Sequence, residues 1–173
     1  MTLPPVSAIR STHIEVYLFR RVGRAVQFLV LRRARSRKRL SGVWQPVTGH
    51  RHLRERPLAA AAREVREETG LTPKRWWALE TATLYVDAQT GELVVLPLFA
   101  AEVERAARVR LSQEHEAASW VSAREAARRV LWETQRRGLE AVRREVLGSS
   151  RLAKALEVTH LAPARPPRTR RHA

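Results

Sequence analysis

The spacing of apolar and polar residues in the first part of the chain predicts two β-strands. In the segment 9–19, the apolar residues Ile14, Val16 and Leu18 alternate with other side chains at the period of two that a strand shows. The segment 25–33 has a continuous apolar centre, which indicates a strand buried on both faces of a sheet. A glycine-containing turn separates the two segments.

Similar patterns continue along the chain and predict an α/β protein. Ser122 and Glu125 have the spacing of a helix-capping box. The order of strands and helices suits an α/β/α sandwich around a mixed β-sheet. The tryptophans at 76, 77, 120 and 132 are assigned to the core. Further strands are expected at 43–48, 76–87, 92–103 and 117–121, and helices at 57–69, 123–130 and 134–147.

The distribution of proline, arginine and apolar residues indicates a single domain with two tails. Residues 1–7 contain a Pro-Pro pair and are expected to form a flexible arm. Residues 8–147 carry the periodic patterns and form the expected domain. Residues 148–173 are basic and rich in proline towards their end, so we expect a disordered tail.

The composition describes a basic protein with ordinary hydrophobic content. The chain has 173 residues, no cysteine and a formal net charge of +16. A nucleic-acid partner is one reading of that charge; a bias towards arginine is the favoured one, and a positive surface would still attract a polyphosphate substrate. There is no apolar run long enough for a membrane span and no signal-peptide pattern, so the expected location is cytoplasmic.

The predicted helix 57–69 carries several carboxylates on one side. Glu64 lies one helical turn from Glu67 and Glu68, so these like charges repel each other unless a cation lies between them. Mg²⁺ takes carboxylate oxygens and leaves sites for water and phosphate. Glu55 adds a carboxylate just before the helix. The alternative is a solvated face with ion pairs such as Arg63–Glu67.

The residues from Gly49 to Leu71 resemble the Nudix box, G-x5-E-x7-R-E-U-x-E-E-x-G-U, at all nine fixed positions. The resemblance to Nudix hydrolases implies an α/β/α sandwich that hydrolyses a nucleoside diphosphate linked to another group. It also implies Mg²⁺ or Mn²⁺ as cofactor. Glu64 and Glu68 match the family's metal ligands, Glu67 is a further ligand or base, and Arg63 matches the arginine that holds the glutamate at position 55.

Two short stretches resemble the dihydroneopterin triphosphate and dATP pyrophosphatase group within this family. The first is the entry to the box, WQPVTG from Trp44 to Gly49. The second is the Glu114-His115 pair that precedes Trp120. By this resemblance Glu114 is a candidate metal ligand and catalytic residue, with Glu116 as the competing position.

The expected substrate is a nucleotide or pterin triphosphate, cleaved to a monophosphate and pyrophosphate. Arg32 and Arg33 lie where the family places basic residues near phosphates, and Gln45 joins them as a candidate substrate contact. Trp44 either stacks on a base or fills the core. Dinucleoside polyphosphates, ADP-ribose and 5′-triphosphorylated RNA are alternative substrates, an RNA-binding module is the alternative of another class, and a homodimer is one option for the assembly.

The chain departs from the family pattern in the loop before Glu55. It has His52 where an acidic residue is usual and Arg54 where glycine is usual. The loop must therefore bend without glycine, and one candidate metal ligand is absent.

Overall fold

The computed structural model describes residues 9–148 and 150–164, and within them eight strands form one mixed sheet flanked by helices. The strands are β1 (Ile9–Arg10), β2 (His13–Val22), β3 (Ala25–Arg33), β4 (Trp44–Gln45), β5 (Val47–His50), β6 (Arg75–Val86), β7 (Leu93–Glu102) and β8 (His115–Val121). The α-helices are α1 (Pro57–Thr69), α2 (Ala123–Arg129), α3 (Glu133–Ala141) and α4 (Ser150–Leu156), with a π-helical turn at Val142–Leu147 and a 3₁₀ turn at Thr159–Leu161.

Strand β2 is at the centre of the sheet and sets its mixed character. It runs parallel to β7 and antiparallel to β3 and β5. Strand β6 pairs antiparallel with the other side of β7, while β4 and β8 pair antiparallel with β3. The hairpin between β2 and β3 turns at Gly23, whose φ of 60° lies in the left-handed region that glycine adopts without cost. This arrangement confirms the predicted mixed sheet.

Each face of the sheet is covered by a separate hydrophobic cluster. One cluster joins Ile14, Val16 and Leu18 of β2 to the buried side of α1, including Val65. The other joins the opposite side of β2, β3 and β7 to α2, α3 and the π-helical turn. Because both faces of the sheet are covered here, the central residues of β2 and β3 are buried. The layers are helix, sheet and helix, as predicted.

Helix α1 begins and ends where its sequence indicates. Pro57 occupies the first helical turn, where a missing N–H costs nothing. Gly70 ends the helix in the left-handed conformation with a φ of 67°, and its N–H donates to the Arg66 carbonyl. The alanines and Val65 face the sheet, so the carboxylates lie on and beside the opposite side of the helix.

The C-terminal helices differ in detail from the predicted pattern. Leu139, Val142 and Val146 are buried as their spacing indicates, but the helix predicted from 134 changes to a π-helical turn at Val142. Ser122 caps α2 by accepting from the Glu125 N–H. The assignment of Trp132 to the core is wrong, because 50% of its surface is exposed.

The prediction of a disordered tail starting at Gly148 is wrong for the stretch that follows it. Residues 150–156 form α4, and the chain then runs along the edge of β6. The Val158 N–H donates to the Trp76 carbonyl at 2.9 Å, and Glu157 forms a bidentate ion pair with Arg75 at 3.1 and 2.6 Å. Apolar Leu156 and Val158, spaced among charged residues, supply this docking surface. Residues 1–8 and 165–173, which include the predicted arm, lie outside the described residues.

No helix among the described residues is long and apolar enough to cross a membrane.

Candidate active site

Arg63 of α1 makes five hydrogen bonds, four to carboxylates of the box and one to a backbone carbonyl. Its Nε and Nη2 donate to the two oxygens of Glu55, both at 3.0 Å. Its Nη1 donates to Glu64 at 2.7 Å and to Glu67 at 3.1 Å, and Nη2 also donates to the His50 carbonyl at 2.7 Å. The Arg63 hydrogen bonds lower the pKa of Glu55 to about 2. Arg63 therefore fixes the loop, β5 and the helix to one another.

Backbone geometry brings the loop before α1 close to the helix. A Cβ atom at Gly49 would lie 2.1 Å from Cδ of Glu64, so only glycine leaves room for that carboxylate. Arg54 adopts a φ of 64°, in the region that glycine favours. The loop does bend without glycine, as the sequence requires. The Glu55 carboxylate accepts the His52 N–H at 2.9 Å, which holds the bend in place.

Glu68 lies in the most unusual environment of the cluster. It is only 5% exposed, and its Oε2 has no hydrogen-bond partner. Burial and, after it, the charges of Glu64, Glu114 and Glu67 raise its pKa to about 9, while the charge of Arg33 opposes the increase. The protein thus holds several carboxylates around a buried oxygen that lacks a donor.

The two candidate acidic residues on the approach to β8 have different surroundings. Glu114 forms an ion pair with Arg37, and its charge acts on Glu68. Glu116 instead lies 2.9 Å from Arg32 and accepts the Arg35 N–H at 3.1 Å. The structure brings Glu114 towards the box carboxylates and engages Glu116 with the arginines of the preceding loop.

The candidate substrate contacts divide between two regions. The charge of Arg33 acts on Glu68, so this side chain belongs with the carboxylates. Arg32 and Arg129 lie over the Trp44 ring, at 5.7 and 5.0 Å from its centre, and the ring packs against the cluster below α2 and α3. Gln45 is buried and donates to Thr48 at 3.3 Å. Of the four, only Arg33 is placed beside the carboxylates.

The donor set fits a hard divalent cation, although the carboxylates are paired with arginines. Among residues 9–148 and 150–164, no three acidic or histidine side chains converge into a ready metal site. The carboxylates do not converge because Arg63 binds Glu64 and Glu67, and Arg37 binds Glu114. The unpartnered, buried Oε2 of Glu68 and the surplus of negative charge match what an oxygen-binding cation such as Mg²⁺ requires.

A second buried polar group was not predicted from the sequence. Glu15 and Tyr17 project from β2 towards α3. The Tyr17 hydroxyl donates to the Glu15 carboxylate, and Gln135 Nε2 donates to the same carboxylate at 3.4 Å. A Cβ at Gly138 would lie 2.0 Å from the Tyr17 hydroxyl, so this glycine allows the helix to approach. The only sequence signal is a glutamate in a strand whose neighbours are buried on both faces.

Two curated proteins resemble part of the chain. The octanoyltransferase of Myxococcus xanthus is 41% identical over 88 residues, which are 50% of this chain and 25% of that protein. The asymmetrical bis(5′-nucleosyl)-tetraphosphatase of Mus musculus is 38% identical over 87 residues, 48% of this chain and 58% of that protein. The chain therefore spans about a quarter and somewhat over half of these relatives.

Solved structures of enzymes that are named for different substrates show the same fold. An Ap4A hydrolase of C. elegans, solved as a binary complex, superposes with a TM-score of 0.67 at 21% identity, over 81% of this chain and 100% of that chain. The dihydroneopterin triphosphate pyrophosphohydrolase of E. coli superposes with a TM-score of 0.63 at 21% identity, over 83% of this chain and 99% of that chain. At these identities the likeness establishes the architecture and leaves the substrate open.

The family model for the NUDIX domain matches residues 11–144, which span β2 to β8 and α1 to α3. The match includes the complete box and the carboxylates of this candidate site. The chain therefore belongs to the NUDIX domain family.

Proposed function

We propose that this enzyme cleaves a nucleoside triphosphate-like substrate, dihydroneopterin triphosphate or a (deoxy)nucleoside triphosphate, to the monophosphate and pyrophosphate. The observation that carries this proposal is the carboxylate cluster that Arg63 organises around the buried oxygen of Glu68. Support for the substrate comes from the WQPVTG entry and from Glu114, whose charge acts on Glu68.

Nudix hydrolases use divalent metal ions, and we propose Mg²⁺ or Mn²⁺ for this one. The residues that would hold the ion are Glu64, Glu67, Glu68 and Glu114, whose oxygens are hard ligands. When bound, such an ion neutralises phosphate charge and acidifies a water molecule. Arg63 pairs with Glu64 and Glu67, and Arg37 pairs with Glu114.

Glu67 is the residue to which we assign proton abstraction from water. Its side chain is 56% exposed, whereas Glu68 is nearly sealed, so only Glu67 has ready access to a solvent molecule. Arg63 holds it through a single hydrogen bond at 3.1 Å, which leaves its other oxygen available. Arg63 itself acts by orienting Glu67 and Glu64, and its link to Glu55 keeps that orientation rigid.

Arginines on the segment after β3 are the proposed phosphate contacts. Arg33 lies within electrostatic reach of Glu68, and Arg37 binds Glu114. An entering phosphate would compete with Glu114 for the Arg37 guanidinium and so free Glu114 to face the ion. Arg32, Trp44 and Gln45 are proposed to contact the nucleoside or pterin, because β4 adjoins this arginine segment.

A dinucleoside polyphosphate is the second candidate substrate. The mouse asymmetrical bis(5′-nucleosyl)-tetraphosphatase, at 38% identity over about half of this chain, supports it. Both candidates need the same attack by water on phosphorus and the same carboxylates. They differ in whether a second nucleoside must be accommodated beyond the phosphates.

A product assay separates these candidates. Purified enzyme is given dihydroneopterin triphosphate, dATP, diadenosine tetraphosphate, ADP-ribose and 5′-triphosphorylated RNA, each with Mg²⁺ and with Mn²⁺, and products are identified by chromatography. We expect the highest kcat/KM for a triphosphate, with pyrophosphate as product. A higher kcat/KM for diadenosine tetraphosphate would transfer the assignment to the second candidate, and absence of turnover on the whole panel would overturn the proposal.

A further inference from the structure

His115 is a fully buried imidazole with no hydrogen-bond partner at either ring nitrogen. It begins β8 directly after Glu114 and pairs with Arg33 across the sheet. Its side chain is 0% exposed, and neither Nδ1 nor Nε2 contacts a donor or acceptor.

The atom that Nδ1 faces is also without a partner. Glu68 Oε2 lies 4.0 Å from His115 Nδ1, beyond hydrogen-bond distance, and it is the buried oxygen described above. A buried polar group without a partner destabilises the folded state, and folded proteins rarely retain two such groups side by side. A shift of about 1 Å would join them in one hydrogen bond.

We propose that His115 is a positioning residue that donates a hydrogen bond from Nδ1 to Glu68 Oε2 and so directs the other Glu68 oxygen towards a bound divalent cation. The inference rests on the metal dependence in the proposed function. A hydrogen bond from an N–H to an ionised carboxylate is stronger than one to a neutral acceptor, which favours closing the gap. Donors of this kind fix the orientation and the basicity of carboxylate and imidazole ligands.

The proposal separates the contribution of His115 to metal binding from its contribution to folding. In the metal-free protein His115 makes no hydrogen bond that a leucine would lose. We therefore expect His115→Leu to melt no lower than the wild type in the presence of a chelator. The same variant should bind Mn²⁺ at least about tenfold more weakly, the usual cost of removing such a supporting group.

The experiment measures Mn²⁺ affinity by calorimetry on the full chain without substrate, for the wild type, His115→Leu, His115→Asn and His115→Gln. Asparagine can place an amide N–H near the position of Nδ1 and should restore most of the affinity, whereas glutamine places it further out and should not. His160→Leu is the matched control, because His160 is exposed in the 3₁₀ turn Thr159–Leu161, outside the box and β8. Its Mn²⁺ affinity should equal that of the wild type.

Unchanged Mn²⁺ affinity in His115→Leu would overturn the proposal, as would an asparagine variant no better than the leucine one. If His115→Leu does not fold, the contrast between asparagine and glutamine decides. Electron spin-echo spectra of bound Mn²⁺ that show a directly coordinated nitrogen would also overturn it, by making His115 a ligand. Failure of the wild type to hydrolyse any triphosphate, with the Mn²⁺ differences intact, would reject the proposed substrate and leave this inference standing.

Discussion

Arg63 is the residue that allows so many carboxylates to share one side of α1. Arg63 makes five hydrogen bonds to oxygen acceptors, and four of these acceptors belong to the box glutamates at 55, 64 and 67. The low pKa of Glu55, about 2, keeps that carboxylate ionised at any physiological pH, so the Arg63–Glu55 contact persists. The site is therefore largely preorganised before any cation or substrate arrives.

Removing one charge from Glu67 or Glu68 should abolish most activity and preserve the fold. For Glu67→Gln, loss of a general base predicts a fall in kcat of about 10²-fold or more with little change in KM. For Glu68→Gln, kcat should fall as well, whereas the melting temperature in chelator should not decrease at neutral pH, because a pKa of about 9 leaves Glu68 protonated there and glutamine has nearly the same size. Steady-state kinetics and thermal melting measure both effects.

Glu104→Gln is the control for these two variants. Glu104 is exposed and lies 3.8 Å from Lys74, remote from the box. It should retain full kcat. Full activity of the wild type in excess chelator would contradict the metal-dependent role of the cluster.

Gly49→Ala should damage catalysis more than folding. The new Cβ would lie 2.1 Å from Glu64 Cδ, so the carboxylate must move away from its place beside Arg63. The Gly49 backbone is not in the left-handed region, so alanine adds no backbone strain there. We expect kcat to fall by about tenfold or more, as for other displaced supporting groups, with a small change in melting temperature.

The comparison variant for Gly49→Ala is Gly91→Ala. Gly91 has a φ of 71° and open space around its Cβ position, so alanine should lower stability through backbone strain. It lies in the turn between β6 and β7 and should leave kcat unchanged. Equal kcat values for the two variants would show that Gly49 does not set the position of Glu64.

At the scale of elements, the periodicity of apolar residues predicted strands and helices with a regular pattern. It did not predict contacts between segments that are distant in the sequence. The bounds of β3 agree with the predicted segment 25–33. The continuous apolar centre of this segment fits a strand covered by helices on both faces. The segment after Gly148 lacks apolar periodicity, yet a few side chains and main-chain hydrogen bonds suffice to dock it on β6. The exposure of Trp132 and the burial of the Glu15–Tyr17–Gln135 group were also not predicted from the sequence, because both depend on the position of α3.

The docked C-terminal segment leads to a prediction about truncation. Deleting residues 149–173 removes the Arg75–Glu157 ion pair, worth about 0–1 kcal/mol at its exposure, and uncovers apolar surface beneath Leu156 and Val158. We expect the melting temperature to fall by about 5–10 °C. Turnover per folded molecule should remain, because none of these contacts involves the box.

A second truncation separates the docked segment from the residues after it. Ending the chain after Ala164 retains every contact of Glu157, Val158 and Thr159 with β6. This variant should melt with the full chain. If the variant that lacks residues 149–173 also had the melting temperature of the full chain, the docked segment would contribute no measurable stability.

At the scale of the whole molecule, the box carboxylates and most of the aromatic core lie on different faces of the sheet. The face covered by α1 carries the box carboxylates, and the face covered by α2, α3 and the π-helical turn carries most of the aromatic core, including Phe19, Phe28 and Trp77. The full chain has a net formal charge of +16. The acidic cluster therefore belongs to a strongly basic chain, and a positive net charge favours approach of an anionic substrate from a distance.

This field predicts how salt and substrate charge affect the kinetics. A nucleoside triphosphate carries more negative charge than ADP-ribose, so its binding should gain more from Arg33, Arg37 and the overall positive potential. Raising the ionic strength from about 0.05 M to about 0.5 M shortens the screening length severalfold and should raise KM for the triphosphate more than for ADP-ribose, with little change in kcat. Arg37→Gln should reduce this salt dependence, whereas Arg124→Gln, which lies on α2, should not. Equal salt dependence for both substrates in the wild type would show that the arginines do not select for the additional phosphate charge.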